Sequence, residues 1–479
     1  MAVLEGLEPR GVLHWFEELC RIPHGSGNTK AISDYLVRFA RDRGLAVRQD
    51  EWNNVVIKKP ASAGYEAAAP VLLQGHMDMV CEKEADCKKD MAAEGLELAV
   101  EGDTVYAKGT TLGGDDGIAV AMILALLESD ALPHPALEAV LTVDEETGMI
   151  GAAAIDLSDL RGRLLINLDS EVEGVFTAGC AGGATAVINM PVKREAFTGE
   201  NLSVTVSGLT GGHSGIEINR GRANAVVLLG RVLDAIGRAT PMRLCSVSGG
   251  SKDNAIPVSA CTFAAVEDGE RAAAACRRME EVFRREYAVA DGNVTITAAP
   301  CQAETQPLDT DSTRRALTLL QCAPNGVQEM SREVEGLVQT SLNLGILTAS
   351  ADSVRASFCV RSNINSQKEM LLHRLELLSA VLGGSFSVSG DYPAWEYRAD
   401  SPLRRLMAEV FAEQCGHAPT VEVIHAGVEC GLLADKISGL DCVSIGPDLT
   451  EIHTPRERMH IASVQRTWAL LTETLRRLR

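Results

Sequence analysis

The sequence of 479 residues has no C-x-x-C pair, no stretch of 18 apolar residues and no excess of positive charge. Each absence narrows the field. An odd count of 13 cysteines, scattered from Cys20 to Cys442, does not form a disulfide framework and suits reduced, structural thiols. Without a long apolar run, no segment is expected to span a bilayer. The opening segment MAVLEGLEPRGVLHWFEELC has no basic stretch followed by an apolar core, so the cytoplasm is the expected compartment. With 65 acidic against 45 basic residues, the formal charge of −20 repels nucleic-acid phosphates and anionic lipids alike, so neither nucleic acid nor membrane is an expected partner. Low-complexity tracts and short-period repeats are also missing.

What is present is 46% hydrophobic residues on a chain longer than one core usually serves, which predicts two domains. Helical and strand patterns alternate from AISDYLVRFARDRG through VLLQGHMDMV, IAVAMILALLES and LEAVLTVDEE to RLLINLDSE, the signature of an α/β sheet with helices outside. Beyond the glycines of TAGCAGGATAV the order changes, and residues 190–388 read as an α+β insert long enough for two related units. The remainder returns to the first domain. The expected division is therefore residues 1–189 and 389–479 for one domain and 190–388 for the inserted one.

Polar residues collect where apolar strands end. In VLLQGHMDMV, His76 and Asp78 interrupt an apolar run two positions apart, so their side chains share one face. A carboxylate at that reach can accept one ring N–H of a histidine and leave the other nitrogen free for a metal. In KGTTLGGDDGIAVAMILALLE, the pair Asp115 and Asp116 sits among Gly113, Gly114 and Gly117 at the start of an apolar helix. Either acid could cap that helix, and two together suggest a carboxylate held ionised as a cation ligand. The strand LEAVLTV runs into Asp144, Glu145 and Glu146, RLLINL ends on Asp169, and SIGPDLTEIHTPRERMHI offers His453. Ligands of open α/β sheets gather outside such strand ends.

Helix capping or solvated turns could explain each group singly, whereas one metal site explains His76, Asp115, Glu146, Asp169 and His453 together. Histidine and carboxylate donors without thiolate suit catalytic Zn²⁺, Mn²⁺ or Co²⁺. Two divalent ions carry four positive charges; Asp115, Glu146 and Asp169 supply three negative ones and a hydroxide the fourth.

The motifs QGHMDMV, GTTLGGDDGIAVAM, DEETGMIGA, NLDSE, GLTGGHSGIEINRGRANA, DNAIP, HAGVECG and IHTPRERM occur in one order along essentially the whole chain. In this the sequence resembles the co-catalytic di-zinc metallopeptidases, and within them the aminoacyl-histidine dipeptidases (peptidase D). The resemblance implies a phosphorylase/hydrolase-like α/β catalytic domain with a mixed sheet and helices on both faces, interrupted by an α+β lid of ferredoxin-like repeats that often mediates dimerisation, so a homodimer is expected. It further implies that His76 and Asp169 bind one metal ion, Glu146 and His453 the other, and Asp115 bridges them, the ions being most often Zn²⁺. Asp78 would stand behind His76, Glu145 would be the general base, and the Asp115–Asp116 peptide would be cis. His213, Asn254, Arg361 and Gly427 match substrate-contacting positions, with His425 and Glu429 beside the last.

Asp rather than Glu at position 169 is the family pattern for free-amine substrates. The activity so implied is hydrolysis of dipeptides, preferentially Xaa-His and including β-Ala-His, by a water whose pKa the ions lower and whose proton Glu145 removes. A broader dipeptidase or tripeptidase of the same fold is the alternative, and a metal-binding scaffold without chemistry is the rival outside enzymes.

Overall fold

The computed structural model describes residues 2–302 and 305–479. The chain divides into two units, Met1–Cys180 with Tyr397–Val423 and Val428–Arg479, and Ala181–Glu396 with Ile424–Gly427. The division falls nine residues before the expected boundary at 190, because the strand Gly182–Pro191 pairs with Ser353–Ser362 and Ser385–Tyr392 of the second unit. On the far side, residues 389–396 also group with the second unit.

The first unit holds an eight-stranded mixed sheet in the order Ala46–Gln49, Val55–Lys59, Leu137–Thr142, Val71–His76, Leu164–Asn167, Asp441–Ser444, Val175–Cys180 and Thr420–Ile424. Leu137–Thr142, Val71–His76, Leu164–Asn167 and Asp441–Ser444 run parallel. Every residue of Val71–His76 and Leu137–Thr142 is buried, as expected of strands covered on both faces. The helix Gly114–Glu128 is buried all round from Gly117 to Leu127. It packs so closely on the sheet that a Cβ at Gly75 would lie 2.8 Å from the Ala119 Cβ. Phe16, Leu36, Leu73, Ile123, Ala139 and Val443 belong to one continuous core.

The second unit is antiparallel. Glu200–Ser207, Ala225–Ala239, Met242–Gly249, Ala260–Val266, Gly269–Glu286 and Thr295–Pro300 form a βαββαβ unit whose strands lie in the spatial order four, one, three, two. A second βαββαβ unit is made of Gly182–Pro191, Thr310–Cys322, Val338–Ala349, Ser353–Ser362, Asn365–Val381 and Ser385–Tyr392, with the same order mirrored. The first is inserted between the opening strand and helix of the second, and the two sheets join where Met242–Gly249 meets Val338–Ala349. These are ferredoxin-like repeats, one nested in the other. Their shared core includes Ile188, Val204, Val232, Phe283, Leu344 and Phe358. Among the described residues, no helix is long and apolar enough to cross a membrane.

Candidate metal centre and substrate-contact residues

The carboxyl ends of the parallel strands bring five expected groups of the first unit together. His76 ends its strand with its ring 1% exposed. Its Nδ1 lies 2.9 Å from the main-chain oxygen of Asp78. A carbonyl can only accept, so Nδ1 donates to it and Nε2 is the nitrogen left for a metal. Nε2 faces Asp115 Oδ1 at 3.1 Å and Asp169 Oδ1 at 3.7 Å. The other oxygen of Asp115 lies 3.1 Å from His453 Nε2, which is also 2.9 Å from Glu146 Oε1. Asp115 thus offers one oxygen to each histidine.

Asp78 is placed differently from the simplest expectation, since its carboxylate is 3.5 Å from His76 Nδ1 while its own carbonyl is nearer. The carboxylate instead accepts the hydroxyl of Ser26 at 2.8 Å and the backbone N–H of Glu145 at 3.1 Å. It therefore ties the strand end of His76 to the turn of Glu145. Asp116 accepts the His76 backbone N–H at 3.0 Å and has a carboxylate oxygen within 4.8 Å of ligand atoms of His76 and Asp169, and the peptide between Asp115 and Asp116 is cis. Asp144 and His453 adopt positive φ values of 55° and 59°, backbone strain of the kind that concentrates at functional turns.

The electrostatics call for positive charge. Among the described residues, no lysine or arginine pairs with Asp78, Asp115, Glu145, Glu146 or Asp169. Burial first, then the charges of Asp169, Glu429 and Glu146, push the Glu145 carboxyl up to about 9. Burial and the charges of Asp115 and Glu146 raise Asp169 to about 6. Hydrogen bonds to Asp115 and Glu146 lift His453 to about 10. Burial alone would lower His76, but the charge of Asp169 and bonds to Asp115, Asp169 and Asp78 raise it well above its ordinary value. Carboxylates and imidazoles this close, with no basic side chain among them, hold protons between them, and divalent ions would reverse each shift. The sets His76, Glu145, Glu146 and Asp115, Glu146, His453 each lie within 4.8 Å, the spacing a bound ion needs. Donor type, reach and charge all fit divalent metal.

Under the cluster lies a polar layer. Glu429, fully buried, accepts from Thr142 Oγ1 at 2.6 Å and Gln74 Nε2 at 2.5 Å, and Gln74 accepts from Asn167. Burial and the charges of Asp169 and Asp78 raise Glu429 to about 7.

The remaining expected residues lie in the second unit. His213 sits on a two-residue strand paired with Ala255–Ile256, and its Nδ1 accepts backbone N–H groups of Gly215 and Ile216 at 3.1 and 3.3 Å. The free proton is then on Nε2. Burial and the charge of Arg361 lower its pKa, so the ring is neutral. Arg361 donates through Nη1 to the Tyr392 hydroxyl at 3.1 Å, and its Nε is buried without a hydrogen-bond partner. A Cβ on Gly427 would lie 2.6 Å from the Tyr392 ring, so this glycine is required by close approach. Asn254 is exposed, and its carbonyl accepts the backbone N–H of Ser214 at 2.9 Å. His425 bonds Ser341 Oγ at 2.7 Å and Asn363 Oδ1 at 3.0 Å, and burial with the nearby charge of Arg361 drives it down to about 3. It is a satisfied, neutral histidine.

Sequence reasoning passed over Tyr392 and Glu457. Tyr392 ends the strand Ser385–Tyr392, where no local pattern singles it out. Glu457, in TPRERM, takes its role from a glycine turn 343 residues earlier, which no local pattern reveals.

A thiolate-free cluster of histidines and carboxylates at the strand ends of an α/β sheet defines the class of metal-dependent hydrolases. More narrowly, the chain belongs to peptidase family M20/M25/M40, whose sequence pattern matches residues 72–477. It is 37% identical over 482 aligned residues to the cytosol non-specific dipeptidase of Escherichia coli K12, covering 100% of this chain and 99% of that one. Among solved structures it is similar to aminoacylhistidine dipeptidase from Vibrio alginolyticus, with 36% identity, a TM-score of 0.93 and 98% of each chain covered. Aminopeptidase PepT from Bacillus cereus, at 16% identity and TM-score 0.57 over 98% of this chain and 99% of that one, shares the fold.

Proposed function

We propose that this chain is a metal-dependent dipeptidase that takes dipeptides with a free N-terminal amine and prefers Xaa-His. The observation that carries the reading is the placement of Asp115, whose two oxygens each lie 3.1 Å from a different histidine Nε2, the arrangement of a carboxylate shared by two cations. His76 and Asp169 would hold one ion, Glu146 and His453 the other, with Zn²⁺ the expected metal. Two such cations polarise the scissile carbonyl and make the attacking water more acidic.

The chain's own groups do the rest. Glu145, half-buried beside the ligand Glu146, takes the proton of the attacking water and returns it to the leaving amine. Asp78 holds the Glu145 backbone in register with His76. In the second unit, the Nε2–H of His213 is a donor for the oxyanion, and Arg361 with its unsatisfied Nε suits the terminal carboxylate of the substrate. Asn254 and Gly427 would contact the substrate backbone.

Two relatives support different breadths. The Vibrio alginolyticus structure is named for aminoacylhistidine peptides, and the Escherichia coli relative is named non-specific, which favours a broader dipeptidase as the second reading. The name of the latter also supports a cytosolic location. A homodimer through the second unit is part of the proposal, supported by the exposed stripe of Met370, Leu377 and Val381 on one helix, and is read out by light scattering.

The test is hydrolysis of Ala-His, β-Ala-His, Gly-Leu, Leu-Gly and a tripeptide by chelator-stripped protein reloaded with Zn²⁺, Mn²⁺ or Co²⁺. Metal-restored cleavage with preference for the histidine peptides is expected. Equal rates across dipeptides favour the broader reading, and no cleavage with any metal refutes both.

A further inference from the structure

The glycine-rich turn before Asp115 grips a carboxylate, and that carboxylate is Glu457. Its Oε2 accepts the backbone N–H groups of Leu112 at 2.8 Å and Gly113 at 3.1 Å, and its Oε1 accepts that of Gly114 at 2.8 Å. Gly113 and Gly114 form a turn ahead of the regular helix, because Asp115 and Asp116 have non-helical backbone angles (ψ 104° and 27°). Glu457 therefore satisfies backbone donors of that turn that would otherwise be buried unpaired. It is 3% exposed, and among the described residues no lysine or arginine pairs with it. Burying a carboxylate without a cation is costly, so these amides converge on it, with that of Asp115 a longer fourth at 3.5 Å.

The turn tolerates nothing else in that space. A Cβ on Gly114 would lie 3.1 Å from Glu457 Oε1, and one on Gly113, already at φ 67°, would lie 2.7 Å from the Met79 Sδ. Four residues before Glu457 is His453, whose ring is 44% exposed on a loop held locally by the Thr454 hydroxyl bond to the Glu451 carbonyl and by the Arg456–Glu451 ion pair. Those ties are all at the surface. Glu457 is the buried end of that loop.

We propose that Glu457 is a positioning residue for the metal centre, clamping the loop that presents His453 to the glycine turn that presents Asp115. The separation of the two histidine nitrogens across the Asp115 carboxylate then depends on a side chain that touches neither ion nor substrate. The inference rests on the two-metal reading of the cluster. Replacing Glu457 by Gln keeps the shape but leaves one oxygen for three donors and turns an amide NH₂ toward one of them.

The experiment is titration of chelator-stripped Glu457→Gln protein with Zn²⁺ against a competing chromophoric chelator, alongside thermal melting of the metal-free form. Zn²⁺ binding is expected to weaken about 10–100-fold, the usual cost of losing a group that orients a ligand. Asp268→Ala removes a helix cap of the second unit and should lower the melting temperature without moving Zn²⁺ affinity. Unchanged Zn²⁺ affinity in Glu457→Gln would overturn the inference alone, whereas a parent chain that takes up no Zn²⁺ would overturn the two-metal reading as well. If the variant does not fold, amide exchange in the parent decides: strong protection of Leu112, Gly113 and Gly114 with and without Zn²⁺ is expected, and fast exchange there contradicts the clamp.

Discussion

The two units solve opposite problems with their polar residues. In the first, Val71–His76 and Leu137–Thr142 are buried on both faces, and the histidines and carboxylates of the cluster gather beyond their carboxyl ends. There His76, Asp115, Glu146, Asp169 and His453 face one another with no lysine or arginine among them. In the second, Glu200–Ser207 alternates buried and half-buried positions, and the candidate contact groups are held by neutral partners. Tyr392 supports Arg361, main-chain amides orient His213, and Ser341 with Asn363 satisfies His425. The first arrangement is electrostatically incomplete without cations; the second is held by hydrogen bonds to neutral groups, apart from the buried Nε of Arg361. Changes at the first should therefore alter metal content, and changes at the second should alter substrate affinity at constant metal content.

The sharpest way to break this contrast is Asp115→Ala. It removes the shared ligand, so bound metal should fall and peptide hydrolysis should be abolished, as metal analysis after gel filtration would report. Next in size is Glu145→Gln, which is expected to keep its metal and lose about 10²–10⁴ in kcat. Near-parental turnover would remove Glu145 from the chemistry. Arg361→Ala should leave both metal content and kcat nearly intact while lowering kcat/KM about 10–100-fold through the loss of a charged hydrogen bond. A fall in metal content there would erase the distinction between the units. The smallest effect is expected from Gly427→Ala, whose new methyl meets the Tyr392 ring at a cost of about 1–3 kcal/mol. It should appear as a raised KM, checked by initial-rate kinetics, with metal uptake unchanged.

Much of the first unit was legible because parallel strands carry their own punctuation. A largely apolar run that stops on His76, Asp144 or Asp169 reads as a strand end whatever follows, and ligands collect there. The helix after Asp116 was equally plain. Finer placement was not. That Asp78 would turn its carboxylate to Ser26 and the Glu145 amide, leaving its carbonyl to His76, depends on a loop fifty residues upstream. The glycines around Asp115 signalled tight packing about a carboxylate, yet the carboxylate they grip arrives from the far end of the chain.

The second unit was harder for a topological reason. One ferredoxin-like repeat interrupts the other between its first strand and first helix, so Gly182–Pro191 lies more than a hundred residues from the helix that follows it in its own repeat. The strand consequently read as part of the preceding domain. His213, Asn254, Arg361 and Gly427 lie on short strands, loops and one sheet face where periodicity says nothing of function, and only the resemblance picked them out.

The central claim is that the strand ends of the first unit hold two ions through a shared Asp115. It is tested most directly by titrating chelator-stripped protein with Zn²⁺ while following both bound metal and Ala-His hydrolysis. Activity that climbs until two ions are bound per chain is the predicted result. Full activity at one ion per chain, or two bound ions in Asp115→Ala protein, would contradict it.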